Sequence, residues 1–255
     1  MTVFLVGAGP GDPELLTLRA ARLLGRADVV VVDRLVGPEV KAMIAPWAEC
    51  IDVGKDPNGT SVPQDEINQT LVDYGARFET VVRLKGGDPY VFGRGGEEAA
   101  ALQAAGLAVE VVPGITSAIA GPAAAGIPLT HRGASSGFTV VTGFQNPDNE
   151  QRLDWTAIAS LGTTLVIVMG ASRAEKIRER LLDGGAPVDT PCAVITRATS
   201  ATQTVCRFAL SELGRTPIDN PSIIVVGQVA ALELAQLSTA HSHELADLPR
   251  GRLFS

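Results

Sequence analysis

The sequence predicts a protein of two α/β domains, a mostly parallel amino-terminal sheet followed by a mixed carboxyl-terminal sheet. Three observations predict it. Across residues 2–126, short β-branched runs alternate with helical runs, the order that builds parallel strands joined by crossover helices. Five of the β-type runs end in stretches rich in glycine, proline or charge, at Gly7, Asp33, Lys55, Gly86 and Gly114. Beyond about Gly126 strand candidates outnumber helices, which indicates mixed or antiparallel pairing. A hydrophobic content of 45% with 19% charged residues suits an ordinary globular core, and 255 residues suffice for two domains. The expected division is 1–114, 115–237 and a polar tail at 238–255.

Residues 2–6 are apolar and lead into Gly7-Ala8-Gly9-Pro10-Gly11-Asp12-Pro13-Glu14. Asp12 is a good N-cap and Pro13 suits a first helical position, so a helix carrying Leu16, Ala20, Leu23 and Leu24 is expected to open there. Gly25 stops it. Residues 29–32 read as a buried strand ending at Asp33. A short helix through 40–45 and a strand through 51–53, ending at Gly54-Lys55, follow. Residues 63–74 carry Ile67 and Leu71 at helical spacing. The pattern continues with a strand at 80–84, a helix at 97–105 and a strand at 108–112. The small residues of 118–126 predict a closely packed helix. In the second domain 137–142, 163–169, 192–196, 203–207 and 222–226 are strand candidates. There, Ser172-Arg173-Ala174-Glu175 has the form of a capping box opening a helix to Leu182.

The stretch from Arg83 to Glu98 is the densest in special residues. It places five glycines and Pro89 between a predicted strand and a predicted helix, with Asp88, Arg83, Lys85 and Arg94 supplying charge. Glycines at this density allow positive φ and close approach of backbone to a ligand, which marks a binding loop. In open parallel sheets ligands sit at the carboxyl ends of the strands, where all five punctuated stretches fall.

The net charge of -7 gives nonspecific nucleic-acid binding no electrostatic support. No apolar run reaches the ~20 residues that span a bilayer, and no signal peptide is apparent, so a cytoplasmic address is expected. Cys50, Cys192 and Cys206 are odd in number and far apart, against a disulfide framework or a thiolate metal site. His241 and His243 fall in the polar tail, and His131 reads as structural.

The opening glycines have the look of a dinucleotide fingerprint, with Asp33 downstream as a ribose-binding carboxylate. The third glycine position is held instead by Asp12. A carboxylate at a helix N-terminus repels a pyrophosphate, and Pro10 removes an N–H that would bind one. A nucleotide-dependent oxidoreductase is therefore the lesser alternative. A noncatalytic binding module is opposed by the polar residues gathered at strand ends.

Six segments occur in order: Val6 to Pro13, Gly54-Lys55, Ser61-Val62-Pro63-Gln64, Arg83 to Glu98, Val112 to Ser117, and Gly126-Ile127-Pro128-Leu129-Thr130-His131-Arg132. Together they resemble the tetrapyrrole methylases over residues 3–235, and within that family the branch acting on uroporphyrinogen III. The resemblance implies S-adenosylmethionine as methyl donor, C-methylation of uroporphyrinogen III at C2 and C7 to precorrin-2, a role in cobalamin and sirohaem biosynthesis, and a homodimer. A methylase of a later precorrin is the nearest alternative. By resemblance, Pro10, Gly86, Gly87, Asp88, Val91, Thr116, Ser117, Met169 and Ala198 line a donor site expected where the two domains meet. Asp33 and Lys55 match the family's proton-handling pair. Arg34, Arg94 and Arg132 are candidate partners for the eight substrate carboxylates, which need cations when buried. Two departures fall in the expected substrate loop: Thr60 where many relatives carry His, and Asp56 where a basic residue is common. The chain opens directly at the methylase motif, which implies no fused dehydrogenase–chelatase module and later steps carried by other proteins.

Overall fold

A computed structural model describes residues 1–54, 62–144 and 153–236. The chain divides into two compact units, the first spanning Met1–Thr116 and the second beginning at Ser117.

The first unit alternates β1 (Thr2–Gly7), α1 (Leu18–Leu24), β2 (Val29–Val32), α2 (Pro38–Lys41), β3 (Glu49–Asp52), α3 (Gln64–Gly75), β4 (Thr80–Lys85), α4 (Gly95–Ala104) and β5 (Ala108–Val112). The strands form one sheet in the order β3-β2-β4-β1-β5, every pair parallel. β2 is four valines buried on both faces, as a central parallel strand requires. On one face Val30, Val32, Val82 and Leu84 pack with Ala20 and Leu24 of α1 and Val40 of α2. On the other, Val3, Leu5, Val29, Val31 and Val81 pack with Ile67 and Leu71 of α3 and Ala99 and Leu102 of α4. Because all five strands run the same way, their carboxyl ends share one edge. The stretches at Gly7, Asp33, Gly86 and Gly114 therefore converge there, as expected; Lys55 lies outside the described residues.

In this unit one local expectation is corrected. Asp12 caps only a single 3-10 turn, Pro13–Leu15, accepting from Glu14 N at 2.9 Å. The chain then extends through Leu16, and Thr17 caps α1 by accepting from Ala20 N at 3.1 Å. Pro13 seeds a turn, and the first threonine with room to accept from the next turn opens the helix.

The second unit contains α5 (Ser117–Ala124), β6 (Phe138–Thr142), α6 (Trp155–Ser160), β7 (Thr164–Val168), α7 (Ala174–Asp183), β8 (Pro191–Thr196), β9 (Thr204–Ala209) and β10 (Ser222–Val226). Its sheet order is β6-β7-β10-β8-β9, parallel between β6 and β7 and antiparallel elsewhere, the mixed sheet expected. The six-residue α6, capped by Asp154, is too short for periodicity to reveal. The Ser172 capping box is not formed: α7 starts at Ala174 after a 3-10 turn, with Arg173 at the N-cap and no side-chain cap. The small residues of α5 face their own unit. Ala118 joins a core cluster with Val168 and Ile223, and a Cβ on Gly121 would come within 2.2 Å of Ile223 Cδ1. Ala118, Ala120, Gly121 and Ala124 serve internal packing, while Ile119 is 47% exposed.

Candidate active site

At the carboxyl edge of the parallel sheet, the loops after β1 and β4 are tied together by their backbones, and the Asp88 side chain ties in the loop after β5. Ala8 N donates to Lys85 O at 2.7 Å, Gly9 N to Gly87 O at 3.2 Å, and Gly87 N to Gly9 O at 2.8 Å. The Asp88 carboxylate extends the tie: Oδ1 accepts from Tyr90 N at 2.8 Å and Oδ2 from Gly114 N at 3.0 Å. The contact between loops leaves no room for side chains. A Cβ on Gly114 would lie 2.2 Å from Gly87 O, and one on Gly7 2.5 Å from Gly114 Cα. The first glycine of the fingerprint-like motif is thus accounted for by loop–loop packing, with no phosphate needed.

Beyond Gly87 the chain takes left-handed backbone at Phe92 and Arg94, φ 52° and 57°. This presents Tyr90, Val91 and Phe92 to solvent. Non-glycine residues in this region cost conformational energy and cluster at ligand-binding loops. Arg94 heads α4 and forms a two-point pair with Glu97, Nε to Oε1 at 2.9 Å and Nη2 to Oε2 at 2.7 Å. The guanidinium holds the Glu97 carboxyl below its ordinary pKa. Arg34 is exposed just past Asp33.

Asp33 follows β2 at the same edge, its side chain 36% exposed, with Arg83 Nη2 at 3.4 Å from Oδ1. Arg83 also reaches Glu98 Oε1 from Nε at 3.0 Å, and Lys85 Nζ donates to the same oxygen at 2.9 Å. All three are buried. Burial first, and then the adjacent Arg83 charge, pull the Lys85 ammonium below its ordinary pKa, while Glu98 and Asp33 pull it back up. The sequence shows Arg83 and Lys85 as loop charge, and does not single out Glu98, the buried partner of both. The usable signal is the pleat: residues 81, 83 and 85 share a face, so two cations point where Val81 meets α4, and a buried counter-charge must come from that helix.

In the second unit, Met169 follows β7 with φ 54° and is 48% exposed, so it is no core residue. Ala198 is half-buried between Arg197 and Thr199, both also at positive φ. Ser117 opens α5. Arg132 is exposed in the turn closed by the pairing of His131 with Ser135. Of the first-unit candidates, Pro10, Gly86, Gly87 and Asp88 are half-buried, and Val91 is exposed. Thr116, also half-buried, ends that unit. Lys55, Asp56, Thr60, His241 and His243 lie outside the described residues.

These loops leave backbone, a carboxylate and apolar surface open to a ligand that carries no phosphate. Gly86 would bring an added Cβ no closer than 3.4 Å to Leu35, so its backbone stays approachable. Each Asp88 oxygen retains a lone pair, Val91 offers apolar surface, and the acidic Asp12 occupies the turn where a diphosphate would sit. Among the described residues no group of three or more His, Cys, Asp or Glu could hold a metal ion. No helix there is long and apolar enough to cross a membrane.

Comparison with known proteins bears on this edge and on the whole chain. The sequence profile described as Tetrapyrrole (Corrin/Porphyrin) Methylases matches residues 2–214. The chain is 49% identical over 231 residues to the uroporphyrinogen-III C-methyltransferase of Pseudomonas aeruginosa, covering 89% of this chain and 93% of that one. It is 48% identical over 232 residues to the siroheme synthase of Edwardsiella ictaluri, covering 90% of this chain but spanning only 50% of that protein. Among solved structures, the uroporphyrin-III C-methyl transferase of Thermus thermophilus complexed with S-adenyl homocysteine superposes with a TM-score of 0.79. That match has 42% identity and covers 90% of this chain and 98% of the other.

Proposed function

The chain belongs to the tetrapyrrole (corrin/porphyrin) methylases, and on that premise we propose that it transfers methyl groups from S-adenosylmethionine to C2 and C7 of uroporphyrinogen III, giving precorrin-2 for cobalamin and sirohaem biosynthesis. The observation that carries the reading is the joined set of loops at the carboxyl edge of the parallel sheet, with the partly exposed Asp33 carboxylate at the same edge. The likeness to a methyltransferase over nearly the full length of both chains supports it.

Bound there, S-adenosylmethionine supplies an electrophilic methyl on a sulfonium: a C–C bond forms at the pyrrole carbon as the S–CH₃ bond breaks, its electron pair passing to sulfur. The alkylated macrocycle must then lose a proton. Asp33 takes it as general base, with Lys55 the family's partner in proton handling. Gly86, Gly87 and Pro10 let backbone approach the donor, Asp88 orders the loops and accepts from ribose hydroxyls, and Val91 and Thr116 complete the contacts. The resemblance alone carries Ser117, Met169 and Ala198, each open to its own substitution. Arg34, Arg94 and Arg132 pair with substrate carboxylates, Arg94 exchanging its internal partner Glu97 for one of them. The protein works in the cytoplasm as a homodimer and binds no nucleic acid, readings supported by the family and by the net charge of -7.

Asp33→Asn keeps the shape and removes the basic oxygen. Turnover at saturating uroporphyrinogen III should fall by about 10²-fold or more, while adenosylhomocysteine affinity stays within a few-fold. Turnover near wild type would strike Asp33 from the catalytic residues and leave the family assignment standing.

A further inference from the structure

Behind Asp33 lies a buried charge cluster that the proposed donor and substrate contacts leave unused. Arg83 and Lys85 project from β4 on the face shared with Val81, toward α3 and α4, and are 1% and 3% exposed. Glu98, fully buried on α4, gives one oxygen to both: Oε1 accepts from Arg83 Nε at 3.0 Å and from Lys85 Nζ at 2.9 Å, with Gln64 Nε2 at 3.4 Å. The rest of the guanidinium is also committed. Nη1 donates to Val31 O and Leu84 O, each at 3.4 Å, and Nη2 to Asp33 Oδ1 at 3.4 Å.

The four charges, Arg83, Lys85, Glu98 and Asp33, sum to zero, and only Asp33 reaches solvent. An arginine is suited to this task because its planar fork addresses two carboxylates at once in fixed geometry, which a single ammonium cannot do. Anchored on Glu98 and on two strand carbonyls, it cannot follow Asp33 if that side chain rotates, so the carboxylate has one preferred orientation. The 3.4 Å separation is long for a charge-assisted bond, and such contacts commonly tighten when substrate arrives.

We propose that Arg83, fixed by Glu98, is the positioning residue for Asp33: it engages Oδ1 and turns Oδ2 toward the substrate side as the oxygen that takes the proton. Lys85 is the second cation that lets one buried carboxylate anchor the fork without leaving net negative charge. This rests on the reading of Asp33 as the base, and a double-mutant cycle separates the two claims.

Arg83→Met and Arg83→Lys are each made in the wild-type chain and in Asp33→Asn, and kcat, KM for uroporphyrinogen III and adenosylhomocysteine affinity are measured. In the wild-type chain, both Arg83 variants should lower kcat by about tenfold, with KM and adenosylhomocysteine affinity within about threefold. In the Asp33→Asn background the same changes should cost less than about twofold more, because the group they position is already gone. Full activity of either Arg83 variant, or losses that multiply across the two sites, would overturn the proposal while leaving Asp33 as base. Wild-type turnover of Asp33→Asn alone would remove both claims. Should Arg83→Met fail to bind adenosylhomocysteine or to fold, the charge-preserving Arg83→Lys cycle decides the matter by the same criteria.

Discussion

Glu97 and Glu98 are neighbours in the first turn of α4 with opposite environments. Glu97 lies at the surface against Arg94, and Glu98 is fully buried between two cations. Removing the buried charge has the larger consequence. Glu98→Gln leaves Arg83 and Lys85 with Asp33 as the nearest counter-charge, and should lower stability by about 3–5 kcal/mol, read from urea unfolding. A loss under about 1 kcal/mol would mean that water reaches the cluster. The surface pair behaves differently. Arg94 depresses the Glu97 pKa, so its contribution is present above the unfolded value of 4.5 and is lost as pH falls through the lower folded value. With both side chains half-exposed, Arg94→Met should cost less than about 1 kcal/mol at neutral pH and nothing once Glu97 is protonated. A cost that grows toward acid pH would contradict this assignment. The sequence cannot distinguish the two glutamates by composition, since both complement the helix dipole equally well. The difference is the rotation of about 100° between successive helical residues, which turns one side chain to the sheet and the other to water.

Loops and caps show the same division. The glycines at 7, 87 and 114 were legible as a site because they follow strands, but their joint cause was not. Three loops from three strands must touch before Gly114 has no room for a methyl group. Gly114→Ala would place Cβ against the Gly87 carbonyl, and should destabilise by about 1–3 kcal/mol while weakening adenosylhomocysteine binding, since the displaced loop carries Asp88. Retained affinity with unchanged melting temperature would show that the loops adjust freely. The capping of α1 depended on context. Asp12 and Pro13 satisfy every local rule for a helix start, yet the helix opens five residues later at Thr17. Thr17→Ala should cost about 1 kcal/mol in urea unfolding, as expected of an N-cap whose hydroxyl accepts a backbone N–H. An unchanged midpoint would leave the cap without energetic weight. The parallel sheet was the most legible element, because four consecutive valines fit only a strand covered on both faces. The strand order β3-β2-β4-β1-β5 was not, since crossovers of similar length permit several orders.

For the molecule as a whole, the family resemblance leads us to propose a homodimer, and light scattering should give twice the 26.5 kDa chain mass at micromolar concentration. A monomer mass across that range would contradict the dimer. The buried small residues of α5 pack within their own unit, so the expectation of a dimer rests on the family resemblance. The central claim is the chemistry. The chain is incubated anaerobically with uroporphyrinogen III and methyl-labelled S-adenosylmethionine, and the macrocycle is analysed by mass and by the position of the label. The account predicts a product carrying two labelled methyl groups, at C2 and C7, with adenosylhomocysteine formed in step. Uroporphyrinogen III recovered without label, from protein that binds adenosylhomocysteine, would contradict it.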